Sequence, residues 1–241
     1  MIKYKKILCL IIARGRSKRL KNKNMCKING KPLIYWTLKE AKKSKYIDDI
    51  CINSDSNKIL NYCKKANIKI VIKRPFKLSL DKSDKWETVK FTYNYLKARG
   101  IVYDYILLLQ PTSPLRKARH IDECIKRIKN NKIDGLISVC KTECPREWTS
   151  TINKKKNYSN FKKGIMKYKK EVLKGRYLPS YRPNGSMIIF KSKLSLKKNF
   201  IFNKKFKIFE MERKYSIDID NKIDLFMAEK LLKYKKLDSL K

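Results

Sequence analysis

Two short stretches of the sequence concentrate side chains that could bind phosphate and metal. Residues 14–23 carry six basic side chains around one glycine, and Asp218 and Asp220 stand one residue apart near the other end of the chain. Backbone N–H groups and cations of such a loop converge on an anion. Carboxylates at positions i and i+2 of an extended segment point the same way, about 7 Å apart, and can share a hard cation such as Mg²⁺. The basic loop matches neither G-x-G-x-x-G nor a Walker loop, so alone it indicates only that a polyanion binds.

The apolar pattern shows which elements would position these side chains. An apolar run at residues 6–13 predicts a buried strand before the basic loop, and Pro32 suits the first turn of the helix after it. Strand and helix then alternate up to residue 140. We predict further strands at 49–54, 68–72, 103–109 and 135–140, and helices at 32–45, 57–66, 84–99 and 118–131.

This alternation predicts an α/β fold with a Rossmann-like, mostly parallel sheet and helices on both of its faces. Ligands of such sheets bind beyond the carboxyl ends of the strands. The loops that begin at Arg14, Asp55, Arg74 and Gln110 are therefore expected to open on one edge of the sheet. The run at 103–109 is the most hydrophobic and should form the central strand.

The alternation fails between residues 141 and 181, a Lys-, Asn- and Tyr-rich stretch. We interpret it as a subdomain or dimer arm inserted in a single domain of residues 1–241, with a short strand near 148–152 and a basic helix near 162–174. Strands are predicted again at 186–190, 206–211 and 216–220. A closing helix at 221–235 follows, with Asp220 or Asn221 as its N-cap.

The charge balance is extreme, with 62 basic against 21 acidic residues and a formal net charge of +41. Such a field attracts nucleic acids and acidic membrane surfaces regardless of sequence. However, 50 of the basic residues are lysines spread over the whole chain, which is typical of compositional drift in an ordinary enzyme. We therefore expect nucleic acid only as a non-specific partner.

Seven cysteines occur without a paired C-x-x-C, and there is one histidine, His120. Reduced thiols in a cytoplasmic protein are the expectation. The N-terminal apolar run lacks a small-residue cleavage site, and no segment approaches about 18 consecutive apolar residues, so we expect no membrane partner. His120 is expected at the surface of its helix.

Three further residues have two interpretations each. Gln110 and Arg116 flank a proline-rich strand end, where they either contact a substrate or shape the turn. Arg182 precedes an Asn-Gly pair and either binds a carboxylate through both of its terminal nitrogens or belongs to the turn.

Taken in order, several segments resemble the CMP-N-acylneuraminate synthetases over nearly the whole chain. The most specific are the opening loop and the run after the central strand; weaker matches occur at 54–56, 73–75, 182–185 and 216–220. The segments that carry the resemblance include Ile12-Ala-Arg-Gly-Arg-Ser-Lys18, Lys23-Asn24, Gly30-Lys-Pro-Leu33 and Leu108-Leu-Gln-Pro-Thr-Ser-Pro-Leu-Arg116.

The resemblance implies an α/β nucleotidyltransferase fold, a homodimer formed through the 141–181 excursion, and a need for Mg²⁺. The implied reaction transfers a cytidylyl group from CTP to the anomeric hydroxyl of an acidic nine-carbon keto acid sugar. It assigns the triphosphate to Arg14, Ser17, Lys18 and Asn24, the α-phosphate to Lys23, and cytosine to Arg74. The sugar would be contacted by Gln110 and Arg176, and the metal by Asp218 and Asp220. Arg182 is kept as a substrate-binding candidate on its own sequence context.

The sequence also departs from that family. Arg16 stands where relatives often carry Gly or Asn, and Lys85 falls near an expected nucleotide-contacting serine. The lysine that some members place in the sugar pocket is missing from residues 144–148. Three alternatives stay open at this point: a CMP-Kdo synthetase, a basic nucleic-acid-binding protein on a degenerate scaffold, and an inactive homologue. In the solvent-exposed part of the basic loop we place Arg16, Arg19 and Lys21.

Overall fold

A computed structural model describes residues 5–17, 19–80, 82–129, 133–150, 159–234 and 237–239. Its main element is a seven-stranded sheet, and a two-stranded hairpin lies beside it. The nine strands are β1 (Ile7–Ile12), β2 (Lys27–Ile28), β3 (Lys31–Pro32), β4 (Asp49–Ser54), β5 (Ile70–Lys73), β6 (Tyr105–Leu109), β7 (Gly135–Lys141), β8 (Tyr181–Lys191) and β9 (Phe206–Glu210). The six α-helices are α1 (Leu33–Lys43), α2 (Asn57–Lys65), α3 (Lys85–Lys97), α4 (Ala118–Lys129), α5 (Ser159–Leu173) and α6 (Lys222–Lys233).

The strands of the sheet follow the order β5-β4-β1-β6-β8-β7-β9. β5, β4, β1 and β6 pair in parallel, whereas β8 runs antiparallel to both of its neighbours, β6 and β7. β9 adds in parallel to β7 at the edge. The predicted α/β class, the mostly parallel sheet and the central place of residues 105–109 are confirmed.

Side chains alternate between the two faces of β1 and so build both halves of the core. Ile7, Cys9 and Ile11 pack with apolar residues of α1, α2 and α4 on one face. Leu8 and Leu10 pack on the other face, against the apolar side of α3 and Phe200. Every residue of β6 is buried, so one of these apolar layers covers each face in the middle of the sheet.

Two local predictions are wrong, and one element was not predicted. Residues 216–220 form no strand, since no neighbouring strand offers them a ladder of hydrogen bonds. The predicted strand at 148–152 is replaced at its start by a 3₁₀ turn at Arg146–Trp148, and residues 151 and 152 lie outside the described residues. The β2–β3 hairpin was not predicted; it turns through Asn29 and Gly30, whose φ angles are 47° and 73°.

The excursion between β7 and β8 contains the 3₁₀ turn and α5. Trp148, Tyr168 and Tyr177 form a chain of edge-to-face ring contacts, with centroids 5.5 Å and 4.9 Å apart. Gly164 lets α5 approach the backbone of this turn, because a Cβ there would lie 1.9 Å from the carbonyl oxygen of Glu147. Whether this segment acts as a dimerisation subdomain stays a prediction. Within the described ranges, no helix combines the length and the apolar character needed to cross a bilayer.

Candidate active site

A cleft of about 510 Å³ lies beyond the carboxyl ends of β1, β5 and β6. The first turn of α3 and the segment before it close its far wall. The cleft brings together six of the residues predicted from the sequence, namely Arg14, Ser17, Lys23, Asn24, Arg74 and Gln110. Lys18, the seventh candidate of this group, lies outside the described residues.

The loop after β1 is held by polar contacts to its own end and to the loop after β4. The Gly15 N–H donates to Asp55 Oδ1 at 2.8 Å, and a Cβ on Gly15 would lie 2.7 Å from the Cβ of Ser56. The Asn24 amide donates to the carbonyl oxygen of Arg14 at 2.9 Å. The loop therefore needs glycine at position 15, and the Asn24 amide group sets its shape.

Lys23 connects this loop to the segment that carries the two aspartates. Its Nζ donates to the carbonyl oxygen of Ile219 at 2.7 Å and to Asp220 Oδ1 at 3.0 Å. Arg19 donates to the other carboxylate oxygen of Asp220 at 2.6 Å. The hydrogen bond from Lys23 is the main reason why the pKa of Asp220 is lowered. Arg19, placed in solvent by the sequence analysis, is thus an ion-pair partner of Asp220, although its side chain stays largely exposed.

Asp218 lies beside the cleft in a different environment. Its Oδ1 is buried and accepts no hydrogen bond from the residues that the structure describes, and burial raises the pKa of its carboxyl group. Gly185, with φ 71°, packs against it, since a Cβ there would lie 2.7 Å from Asp218 Oδ2. Only glycine tolerates both the left-handed backbone and this close approach.

The two aspartates flank Ile219, which is fully buried and whose N–H donates to the carbonyl oxygen of Thr112 at 2.8 Å. This bond ties the aspartate segment to the loop after β6. The alternation predicted for a strand therefore survives in an irregular segment, with Ile219 in the core and the carboxylates of Asp218 and Asp220 on its more accessible side.

Arg74 is almost fully buried in the wall formed by the ends of β4 and β5. Its Nε donates to Asn53 Oδ1 at 2.8 Å, and a terminal nitrogen donates to the Asn53 carbonyl oxygen at 2.9 Å. The Asn53 amide in turn donates to Thr92 Oγ1 at 3.0 Å. Burial lowers the pKa of Arg74. Sequence reasoning missed Asn53, whose only signal is a polar residue inside an otherwise apolar strand.

Arg116 is fully buried behind the loop that Gln110 begins. It donates to the carbonyl oxygen of Ser186 and to Thr37 Oγ1, both at 2.7 Å, and to the Gln110 carbonyl oxygen at 3.3 Å. Burial lowers its pKa to about 10. Of the two interpretations left open, the structure supports a turn-shaping role for Arg116. Gln110 lines the cleft, where it is accessible to a substrate.

Two candidate arginines do not line this cleft. Arg182 is exposed at the start of β8, and its charge favours ionisation of Asp218. The buried Asn184, two residues further on, donates to Ser216 Oγ at 2.9 Å and accepts from Ser138 Oγ at 2.6 Å, so that it ties β7 and β8 to the aspartate segment. Arg176 is exposed and lines a separate groove of about 420 Å³ inside the excursion.

The sequence analysis did not place His120 correctly. It is buried, its ring stands edge-on to Tyr215 with centroids 4.7 Å apart, and its Nδ1 accepts from the backbone N–H of Lys117 at 3.2 Å. Burial lowers its pKa to about 4, so that the ring is neutral near pH 7. His120 supports the rear of the loop after β6 and has no place in the cleft.

A mostly parallel sheet, a cationic cleft over its carboxyl edge and two aspartates beside that cleft together define an α/β protein of the nucleotidyltransferase type. The structure entitled CMP:2-keto-3-deoxy-manno-octonic acid synthetase complexed with CTP has the same fold, with a TM-score of 0.70, 13% identity, and coverage of 94% of this chain and 98% of that one. Residues 8–240 match the model of the family described as Cytidylyltransferase. The chain belongs to the cytidylyltransferase family.

Curated relatives cover the same region. The chain is 30% identical over 223 residues to the N-acylneuraminate cytidylyltransferase of Streptococcus agalactiae serotype V, a match that covers 91% of this chain and 51% of that protein. It is 30% identical over 230 residues to the CMP-N,N'-diacetyllegionaminic acid synthase of Legionella pneumophila, which covers 94% of this chain and 96% of that protein. The chain thus spans about half the length of the first relative and nearly all of the second.

Proposed function

We propose that the protein transfers a cytidylyl group from CTP to the anomeric hydroxyl of a nonulosonic α-keto acid sugar in the cytoplasm. The observation that carries this proposal is the cleft itself, in which Arg14, Lys23 and Arg74 lie together beyond the parallel strands while Asp218 and Asp220 stand beside it. The family and the names of the two relatives favour a cytidine nucleotide and an acidic sugar.

In the proposed reaction the sugar hydroxyl loses its proton to solvent water, and its oxygen attacks the α-phosphorus. The bond between the α-phosphorus and the oxygen that bridges it to the β-phosphate breaks. Pyrophosphate leaves, and the CMP-sugar is the other product. Such chemistry depends mainly on positioning and charge neutralisation. Lys23 suits this role because its ammonium is already fixed by Ile219 and Asp220, so that little reorganisation is needed when charge develops on the phosphate.

The remaining contacts are assigned by their place around the cleft. Arg14, Ser17 and Lys18 would bind the triphosphate, and Asn24 would support them by fixing the Arg14 carbonyl group. The rigidly held Arg74 would read cytosine. Gln110, which lines the cleft, and the exposed arginines Arg176 and Arg182 would contact the sugar. Arg182 acts electrostatically on Asp218 beside the cleft.

Asp218 and Asp220 have the properties that Mg²⁺ requires of its protein ligands. Both offer hard carboxylate oxygens, and the buried Oδ1 of Asp218 has no partner among the described residues. Mg²⁺ commonly takes one or two protein carboxylates and completes its shell with phosphate and water, so two aspartates are enough for the proposed site. When bound, the ion would neutralise the triphosphate charge.

We further propose a homodimer formed through the excursion. Two of its leucines, Leu173 and Leu178, are 87% and 82% exposed, so a second copy that covered them would bury apolar surface. Arg176 lies between them in sequence and outside the cleft of its own chain, so its contact with the sugar would need a second copy. Size-exclusion chromatography with light scattering tests this: Leu173→Glu should yield monomers, and a monomeric wild type would refute it.

The experiment that tests the proposed function is a pyrophosphate-release assay. Four nucleoside triphosphates are crossed with a panel of keto acid sugars, including N-acetylneuraminate, legionaminate, pseudaminate and the eight-carbon acid Kdo, with and without Mg²⁺. We expect release only with CTP, a nine-carbon acid and Mg²⁺. Folded protein that releases no pyrophosphate with any pair would refute the activity, and salt-sensitive retention on DNA would then favour the nucleic-acid alternative.

A further inference from the structure

Four cations line the cleft, and three of them have other contacts within the chain. Lys23 is bound to Asp220 and Ile219, Arg74 is bound to Asn53, and Arg14 also has a partner. The fourth is Lys85 in the first turn of α3. Its ammonium forms no hydrogen bond or ion pair with any residue that the structure describes.

The surroundings of Lys85 hold its ammonium at the cleft, where Asp84 and Asp218 attract it without forming an ion pair with it. Nζ lies 5.0 Å from the centroid of the Trp86 ring, a contact that positions a cation but leaves its N–H donors free. The preceding residue, Asp84, uses its Oδ1 to cap α3 by accepting from the Trp86 N–H at 3.0 Å. The N–H of Trp86 is therefore already satisfied, and Lys85 supplies positive charge on this wall of the cleft.

Lys85 lines the same cleft as Arg14, Lys23 and Arg74. Its ammonium also lies within electrostatic reach of Asp218, one of the two aspartates beside the cleft. Arg74 lies at the ends of β4 and β5. Lys85 therefore faces the space in which the proposed reaction would place the phosphates and the carboxylate of the incoming sugar.

We propose that Lys85 is a further substrate-binding residue, which donates hydrogen bonds to an anionic oxygen of the substrate in the cleft. This inference rests on the proposed function. The oxygen belongs either to a phosphate of the nucleotide or to the carboxylate of the acceptor, and both accept charge-assisted hydrogen bonds from an ammonium.

Lys85→Gln removes the charge and keeps most of the side chain, and Lys82→Gln makes the same change on an exposed lysine that does not line the cleft. Calorimetric titration with CTP and with cytidine, together with the KM for N-acetylneuraminate or whichever acid is turned over, separates the two sources. If the phosphate is bound, Lys85→Gln should weaken CTP binding by about 10- to 100-fold and leave cytidine binding unchanged. If the carboxylate is bound, CTP binding should stay constant while the KM of the acceptor rises by a similar factor.

Lys85→Arg, which keeps the charge, should remain within a few-fold of wild type for both ligands, and the thermal midpoints should agree among all variants. Values for Lys85→Gln equal to those of Lys82→Gln in every titration would overturn the inference, as would an Arg variant as weak as the Gln variant. Failure of the proposed function gives a different result, because wild type and Lys82→Gln would themselves bind CTP no more tightly than cytidine.

Discussion

The cleft and the excursion both contribute candidate residues, but the rest of the protein holds them in different ways. Around the cleft, Lys23, Arg74 and Asn24 are each fixed by hydrogen bonds to neighbouring loops or strands. In the excursion, Arg176 is exposed and Leu173 and Leu178 project into solvent. The cleft is therefore ready to bind a ligand within a single chain. In the excursion, these three side chains are not covered by other residues that the structure describes.

Within one chain, therefore, only the residues proposed to bind the nucleotide are already held in place before a ligand binds. A rigid set of donors costs little to order when a ligand binds, while an exposed arginine has to be immobilised at that moment. Variants in the two regions should therefore affect different kinetic constants. The expected effects are given below from the largest to the smallest.

Asp220→Asn should abolish turnover, with a loss of about 10³-fold or more, because it removes a proposed metal ligand and the anchor of Lys23. Steady-state pyrophosphate release measures the loss. Asp122→Asn makes the same chemical change far from the cleft, where Asp122 accepts from Ser44, and should retain activity. Near wild-type rates for Asp220→Asn would remove the metal assignment.

Lys23→Ala should lower kcat by about 10²- to 10³-fold, since the fixed cation beside the reacting phosphate is lost. Lys21→Ala is the matched control, because Lys21 is exposed two residues earlier in the same loop. Its rate should equal that of wild type. Equal losses at the two positions would mean that total loop charge, and not the geometry of Lys23, matters.

Arg176→Ala should raise the KM of the acceptor sugar by about 10-fold and leave the KM of CTP unchanged, because one charge-assisted hydrogen bond to the sugar is lost. Lys174→Ala, an equally exposed change in the same segment, serves as control. Mixing Arg176→Ala with Lys23→Ala sharpens the comparison: if a second copy supplies Arg176, mixed dimers should regain sites with wild-type KM. An effect of Arg176→Ala on CTP would contradict the division between the two regions.

His120 packs behind the loop after β6, and its titration should make the stability of the folded protein depend on pH. Its pKa falls from 6.5 in the unfolded chain to about 4 in the folded protein, so the unfolded chain binds the proton first as the pH drops. The stabilisation is present above about pH 6.5 and is lost towards pH 4. Among the charged groups that act on the ring, Arg116 and Arg119 lower the pKa, while Glu212 and Asp238 oppose them.

We expect the free energy of unfolding of wild type, measured with urea, to fall by about 1 kcal/mol more than that of His120→Gln when the pH is lowered from 7 to 5.5. His120 is the single histidine of the chain, so the difference between the two proteins isolates its titration. Parallel pH profiles for the two proteins would contradict the neutral, buried state of the ring.

The apolar periodicity predicted the strands and helices well, because buried strands such as β1 and β6 have few alternative environments. It did not predict β8 as antiparallel between β6 and β7, since an apolar run has no direction. Of the site, the residues at strand ends were foreseen because parallel strands all end at one edge. Asn53 and the ion pair from Arg19 could not be foreseen, and the choice between the two interpretations of Arg116 could not be made, because their partners lie far away in sequence and depend on tertiary packing.

The position of β8 between β6 and β7 has a consequence for the order in which the nascent chain can fold. β8 hydrogen-bonds to both neighbours but leaves the ribosome after them, so the sheet stays divided until Lys191 has been synthesised. Until then the edge of β6 has unpaired backbone groups, a state that favours pairing with other chains. Expression ending before Tyr181 should therefore yield an aggregating fragment, and the length of the excursion sets how long each growing chain remains vulnerable.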